Sequence, residues 1–224
     1  MKKTIFIFLL FLQLFSFSFS KDENAYLQIK RSKSHKEQTE DLTPLVVTLS
    51  SDDKREKTNG VDLMCVVDVS GSMAKYNRME LVKQSLTYLV KLMESRDRLA
   101  IVSFEDKASK PLNFMLMTEK NKTEAYNAIN SLKAEGGTNI YAGLAMALDL
   151  ITDNYKSGEQ VAAMILLSDG ADNYKNTDSR FRSYIKSSGK QDFAFTLHTL
   201  GYGEKHDADL MQKLSLIRDG GYFL

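Results

Sequence analysis

The sequence predicts an α/β fold, with an open and mostly parallel sheet between helices and one antiparallel strand at the sheet edge. Short apolar runs alternate with longer amphipathic segments after residue 60, which is typical of α/β layers. The apolar runs are nearly continuous, as in parallel strands that are covered on both faces. One connection between neighbouring strands is too short for a parallel crossover, which needs about a dozen residues.

The residues before this pattern differ in composition. Residues 1–20 combine a basic start, an almost wholly apolar run and small residues close to Ser20, and they are interpreted as a secretory signal peptide. The alternative is an uncleaved membrane anchor, although a spanning helix needs about 20 apolar residues. Residues 21–60 are predicted to be a charged linker with a short strand near 45–49, and the predicted domain covers residues 61–224.

The first half of the domain is predicted to contain three strands and two helices. Apolar residues recur every three or four positions in both helices, which indicates amphipathic helices packed on a core. The short connection before the third strand makes that strand antiparallel, as part of an edge hairpin. The predicted ranges are 61–67, 99–104 and 112–117 for the strands and 77–95 and 121–132 for the helices.

The second half continues the alternation of helices and strands. A helix is expected directly after a Gly-Gly turn, and a weaker helix and a short helix follow later in the chain. The chain closes with what reads as the opening of a sixth strand. The predicted helices are 140–154, 178–188 and 208–216, and the predicted strands are 161–167, 193–200 and 220–224.

Composition excludes several classes of protein. The chain has 224 residues, 43% hydrophobic residues and a formal charge of +1, so it can bury a core and lacks the basic excess expected of a dedicated nucleic-acid binder. Its single cysteine, Cys65, excludes an intramolecular disulfide; a buried hydrophobic role is favoured over a reactive thiol. Asn121 begins a possible N-glycosylation sequence if the chain is secreted, and a chance match is equally open.

Hydroxyl and carboxylate side chains follow the first predicted strand and recur at two later points. The first stretch is Asp68-Val-Ser-Gly-Ser72, the second is Gly136-Gly-Thr-Asn139 before a helix, and the third is Leu166-Leu-Ser-Asp-Gly170 at the end of a strand. Ligands of open α/β sheets bind outside the carboxyl ends of the strands. The three stretches are therefore expected to meet at one edge of the sheet.

Together these stretches resemble the metal-ion-dependent adhesion site of the von Willebrand factor A-type (VWA) family. The family pattern is Asp-x-Ser-x-Ser followed by a distant Thr and a distant Asp, and the likeness extends from about residue 61 to the C-terminus. The resemblance implies the strand order 3-2-1-4-5-6. It also implies a full sixth strand and a C-terminal helix, and the given sequence is expected to stop before both. The implied metal ligands are Asp68, Ser70, Ser72, Thr138 and Asp169.

This donor set suits a hard divalent cation, Mg²⁺ or Mn²⁺, which prefers oxygen ligands. Gly71 is expected to allow a tight turn so that both flanking serine hydroxyls point to one side, and Asp68 can orient the site directly or through water. Because three of the five ligands are neutral, the cation stays electrophilic and keeps a coordination position free. The implied function is a cation-dependent protein-binding module that is secreted or displayed at the cell surface, and whose partner offers an acidic residue. No nucleic-acid contact is expected. A membrane contact is expected only if the N-terminal segment stays uncleaved.

Other interpretations of the same residues stay open. Asp68 and Ser72 are alternatively caps for backbone N–H groups at a helix start, and Asn139 is better explained as a helix-start residue than as a ligand. A VWA domain can also serve as a scaffold without metal-dependent ligand capture. A phosphatase-like hydrolase is disfavoured because Ser70 stands where the second acid would be, and a serine hydrolase because the Gly-x-Ser-x-Gly motif is absent. The chain is therefore not expected to be an enzyme.

Overall fold

The computed structural model describes residues 25–31, 45–51, 60–155, 160–202 and 206–223. The chain divides into two compact units, Met1–Thr58 and Asn59–Leu224. In the first unit, strands β1 (Ala25–Arg31) and β2 (Leu45–Ser51) pair in antiparallel register, with Leu27 opposite Leu49.

Strand β2 overlaps the short strand expected near 45–49, whereas sequence reasoning missed β1. The interpretation of residues 1–20 as a signal peptide falls outside the described residues. Within the described ranges, no helix combines the length and the apolar character that crossing a membrane requires.

The second unit is built on a six-stranded sheet in which β3 is central. The order across the sheet is β5-β4-β3-β6-β7-β8, and only β5 runs antiparallel to its neighbour. In chain order this is the predicted arrangement 3-2-1-4-5-6, so the predicted fold class is confirmed. The strands are β3 (Gly60–Asp68), β4 (Arg98–Phe104), β5 (Ala108–Leu116), β6 (Gln160–Ser168), β7 (Thr196–Gly201) and β8 (Tyr222–Phe223).

Five α-helices connect these strands. A 3₁₀ segment at Gly71–Asn77 precedes the first helix, and a short one at Leu216–Arg218 follows the last. Thr118 and Asp207 each accept a backbone N–H at a helix start, as residues that favour this position do. The helices are α1 (Arg78–Leu92), α2 (Glu119–Ser131), α3 (Ile140–Asn154), α4 (Thr177–Ser187) and α5 (Ala208–Ser215).

The starts of strands β5 and β7 differ most from the predicted strand starts. Strand β5 begins at Ala108 rather than at residue 112, because a register shift between Ile101 and Ser103 lets the hairpin continue. Strand β7 begins at Thr196 rather than at residue 193. The aromatic rings of Phe193 and Phe195 instead stack on each other with centroids 5.7 Å apart.

The core lies on both faces of the sheet. Met64 and Val66 of β3 pack with Leu144 of α3 and Phe181 of α4 in one buried cluster. The intervening residue Cys65 is equally buried and points to the opposite face, since strand side chains alternate. Full burial of each large apolar side chain contributes about 1.5–3 kcal/mol. This double coverage holds β3 rigidly and fixes the point at which its carboxyl end emerges.

Candidate functional site

Asp68 is the last residue of β3, and its carboxylate is buried. Its Oδ1 accepts the backbone N–H of Ser70 at 2.9 Å, and its Oδ2 accepts the hydroxyl of Ser168. Loss of hydration by burial raises the pKa of Asp68 to about 6; the bonds from the two serines oppose this rise and the nearby Asp169 charge adds to it. The carboxylate is thus held in place but poorly solvated, and a neighbouring cation would stabilise its charged form.

Ser70 and Ser72 follow in the loop after β3, and their hydroxyl oxygens lie 3.0 Å apart. The glycine between them was expected to allow a tight turn, but Gly71 has no positive φ. Its backbone N–H donates to Gly136 O at 3.0 Å, and a Cβ at Gly71 would lie 3.3 Å from that same oxygen. Glycine is therefore favoured here by the close approach of a second loop.

That second loop carries Thr138, which is 4% exposed. Gly136 adopts a left-handed φ of 74°, which glycine tolerates without the usual Cβ penalty. Asn139 caps α3 by accepting the Ala142 N–H at 3.1 Å, and its amide donates to Asp106 O at 3.2 Å. The helix-start interpretation of Asn139 is therefore correct, and this cap fixes the backbone beside Thr138.

Asp169 follows directly after β6 and is 2% exposed. Its Oδ1 accepts the Ala171 N–H at 3.3 Å, and its Oδ2 accepts Nη1 of Arg78 at 2.5 Å. The same Nη1 also lies 3.4 Å from Ser72 O. A single guanidinium nitrogen therefore connects the first loop to the third.

The three loops meet at the carboxyl edge of the sheet. Gly71 N–H contacts the second loop at Gly136, and Asn173 N–H of the third loop donates to Thr138 O at 3.0 Å. Ser70 and Ser72 are in contact with each other, and Arg78 joins Ser72 to Asp169. Loops that carry all of the predicted ligands are thus brought together at the predicted edge; the roles of these residues as ligands stay predictions.

Sequence reasoning missed two residues of this site, Ser168 and Arg78. Ser168 donates to Asp68 and accepts the Gly170 N–H at 2.9 Å, and its position directly before Asp169 in a strand beside β3 could have indicated it. Arg78 opens α1, where a positive charge is unfavourable to the helix dipole. A cation at that position is a signal that a nearby carboxylate compensates for it.

The capping interpretation holds only in part. Asp68 accepts a backbone N–H, whereas the hydrogen bond that the structure describes for the Ser72 hydroxyl is to the Ser70 hydroxyl and not to a backbone N–H. Asp172, in the third loop, accepts the Tyr174 N–H and the hydroxyl of Thr177 at the start of α4. Burial raises the pKa of Cys65 to about 12, in agreement with the buried hydrophobic role expected of it.

The chemistry of the donor set fits a hard cation. In the described ranges no group of three or more His, Cys, Asp or Glu side chains is placed to hold a metal, so a site there would depend on hydroxyl oxygens as well as carboxylates. Two carboxylates and one guanidinium give the site a formal charge of −1. A divalent cation would leave it at +1 and attractive to an anion.

An open sheet that gathers such oxygens at its carboxyl edge defines a class of α/β ligand-binding domain. Residues 63–171 match the family model of the von Willebrand factor type A domain, so this part of the chain belongs to the VWA family. It is 31% identical over 176 residues to the uncharacterized protein YfbK of Escherichia coli K12, covering 78% of this chain and 30% of YfbK. The chain spans less than half the length of the curated relatives it matches first.

Solved structures share the fold. The von Willebrand factor type A protein from Catenulispora acidiphila superposes with a TM-score of 0.64 at 18% identity, over 90% of this chain and 46% of that one. The pilus adhesin SpaC from Lactobacillus rhamnosus GG gives a TM-score of 0.61 at 16% identity, over 92% of this chain and 33% of the adhesin. At these identities the likeness establishes the fold alone.

Proposed function

We propose that the VWA domain of this protein is a protein-binding module that acts through a bound Mg²⁺ or Mn²⁺ ion. Asp68, Ser70, Ser72, Thr138 and Asp169 would hold the cation, directly or through water. The cation, when bound, would supply a Lewis-acidic position for a carboxylate. The partner is a protein that offers an exposed acidic side chain.

The observation that carries this proposal is the contact between the Ser70 and Ser72 hydroxyls, 3.0 Å apart, beside the buried Asp68. Two neutral oxygens in contact beside an under-solvated carboxylate suit a cation better than they suit proton transfer. The described histidines give no support to a hydrolase. His198 bonds to Thr196 and Gly221, and His206 bonds to Tyr222, so both rings already have hydrogen-bond partners.

A location outside the cytoplasm is part of the same proposal. The composition of residues 1–20 supports export, and the fold is shared with a protein named as a pilus adhesin. Capture of an acidic partner at a surface is consistent with both.

The test titrates MgCl₂ and MnCl₂ into the full chain by isothermal calorimetry and compares it with a Ser70→Ala/Ser72→Ala variant. We expect the wild type to bind one ion and the variant to lose at least roughly tenfold in affinity, since two oxygen ligands are removed. The matched control is Ser187→Ala/Ser188→Ala at the end of α4, where both hydroxyls bond to the Tyr184 carbonyl. Equal ion binding in all three proteins would contradict the proposal.

Binding of a carboxylate to the ion is tested on the Mn²⁺-loaded protein. Acetate serves as the probe, and water-proton relaxation reports how many water molecules stay on the bound Mn²⁺. Acetate should lower the relaxation enhancement as it replaces water. A scaffold that works without ion-dependent capture would give an enhancement that acetate leaves unchanged.

A further inference from the structure

Arg78 places a protein cation inside the candidate metal site. Its Nη1 donates to Asp169 Oδ2 at 2.5 Å and lies 3.4 Å from Ser72 O. The two side chains are only 11% and 3% exposed, so the pair is weakly screened by solvent. The guanidinium carbon also lies 5.4 Å from the centre of the Tyr76 ring.

The backbone around Arg78 is arranged at an energetic cost. Tyr76 and Asn77, directly before it, both adopt left-handed conformations with φ of 53° and 63°, and each such residue costs on the order of 1 kcal/mol. Arg78 then stands in the first turn of α1, where the helix dipole opposes a positive charge. Strain that accumulates at one position indicates a function there rather than a contribution to stability.

The hydrogen bonds of Arg78 are also incomplete. Its Nε is buried and has no hydrogen-bond partner among the residues that the structure describes, although buried polar groups are nearly always paired. The guanidinium is therefore held at Asp169 by one nitrogen rather than by a two-pronged contact. Such a side chain can move relative to the carboxylate at a lower cost than a fully bonded one.

Asp169 has both oxygens in use before any ion binds. Oδ1 accepts the Ala171 N–H at 3.3 Å, and Oδ2 accepts Arg78. An ion that binds Oδ2 of Asp169 must share this oxygen with Arg78 or displace it. Arg78 therefore competes with the ion for Asp169, and its charge adds to the attraction for an incoming anion.

We propose that Arg78 is a positioning residue that weakens ion binding and strengthens carboxylate binding at this site. The inference rests on the proposed function and adds a device that regulates it. The two effects have opposite signs, which a merely structural role would not produce, because damage to the fold would weaken both.

The experiment measures Mn²⁺ affinity by calorimetry and acetate affinity by water-proton relaxation, on the full chain. Arg78→Gln removes the charge and keeps a polar side chain of similar reach. We expect it to bind Mn²⁺ roughly tenfold more tightly and acetate several-fold more weakly, as expected when one charge is removed a few ångströms away in a partly buried site. Arg78→Lys retains the charge and should stay within about threefold of the wild type in both measurements.

The matched control is Arg98→Gln, which breaks another buried Arg–Asp pair at the opposite edge of the sheet and should change neither affinity. If Arg78→Gln leaves the Mn²⁺ and acetate affinities unchanged, or changes both in the same direction, the inference is overturned while the proposal that the site binds an ion stands. If Arg78→Gln does not fold, a Lys variant that departs from the wild type beyond threefold overturns it. If neither the wild type nor Arg78→Gln binds Mn²⁺, this inference and the proposed function are both overturned. If Arg78→Gln binds Mn²⁺ and the wild type does not, the result supports Arg78 as the obstacle to the ion.

Discussion

Two Arg–Asp pairs lie at opposite edges of the same sheet, and they differ in what surrounds them. At the amino edge Arg98 bonds Asp62, and at the carboxyl edge Arg78 bonds Asp169; in both pairs the arginine side chain is little exposed, 13% and 11%. Arg98 makes a two-pronged contact, with Nε at 2.6 Å from Oδ1 and a second nitrogen on Oδ2. Arg78 touches its carboxylate with one nitrogen only.

The surroundings of the amino-edge pair are fully bonded. Arg98 also donates to Asn154 O at 2.9 Å and lies over the Phe114 ring. Nearby, Asp97 accepts the N–H groups of Val61 and Glu94. Among the described residues of this edge, the carboxylates of Asp62 and Asp97 each accept more than one hydrogen bond, and we expect this ion pair to stabilise the fold.

The carboxyl-edge pair has left-handed residues before its arginine, an unpaired Nε within the described structure and two serine hydroxyls beside it. We therefore expect the fully bonded Arg98–Asp62 pair to serve stability and the incompletely bonded Arg78–Asp169 pair to serve the proposed ion site. The predictions below test that difference.

The largest expected effect is at the amino edge. Asp62→Ala leaves Arg98 without its buried partner, and we expect it to lower the free energy of unfolding by about 3 kcal/mol, measured by urea denaturation in EDTA. Glu94→Ala breaks an exposed pair with Arg96, 2.8 Å long, and should cost under about 0.5 kcal/mol. Mn²⁺ affinity should be the same in both variants as in the wild type. A loss of Mn²⁺ affinity in Asp62→Ala would mean that the two edges are not independent.

The sequence predicts the sheet well because the residues of each strand and of its short connections carry the signals that define it. Near-continuous apolar runs such as 61–67 occur only where both faces of a strand are buried, and the short step between the second and third strands permits only a hairpin. The start of β7 was harder to place, since Phe193 and Phe195 have strand-forming character and instead stack on each other before the strand begins. Tertiary packing decided that boundary.

The candidate site likewise contains residues that the sequence predicts and a residue, Arg78, that it does not. The predicted ligands follow strands or precede a helix, so their position follows from the topology alone. Arg78 bonds to Asp169, a residue 91 positions away, and the direction of its side chain follows a left-handed turn at Tyr76 and Asn77. No spacing rule encodes that turn. Its traces in the sequence are the charge that opposes the helix dipole and Asn77, a residue type that tolerates left-handed backbone.

A second prediction tests whether the carboxyl edge costs stability. The pKa of Asp68 is raised by burial from 3.8 to about 6, so keeping this group charged costs about 3 kcal/mol before ion binding. Asp68→Asn should therefore raise the free energy of unfolding in EDTA at pH 7.5 by about 1–2 kcal/mol, because lost charge-assisted hydrogen bonds offset part of the gain. It should also abolish the stabilisation by Mn²⁺.

The control for that variant is Asp172→Asn in the neighbouring loop. Asp172 accepts the Tyr174 N–H and the Thr177 hydroxyl, so its carboxylate supports the loop, and the substitution should lower stability by about 1 kcal/mol. Stability that falls equally in both variants would place Asp68 with the stabilising carboxylates and remove the contrast between the edges.

A pH dependence separates the acid sensitivity of the fold from that of the candidate site. Burial lowers the pKa of His198 to about 4; its ring accepts the Gly221 N–H and bonds to Thr196. Between pH 6.5 and about 4 the unfolded chain binds a proton on this residue that the folded chain does not, so the stability that this residue contributes is complete above pH 6.5 and falls as the pH falls.

The experiment uses the Asp68→Asn background, which removes a carboxyl that titrates in the opposite direction. The free energy of unfolding in EDTA should be about 1–2 kcal/mol lower at pH 5 than at pH 7. Adding His198→Asn should flatten most of that slope, and a slope left intact would assign the acid sensitivity to residues outside the sheet core.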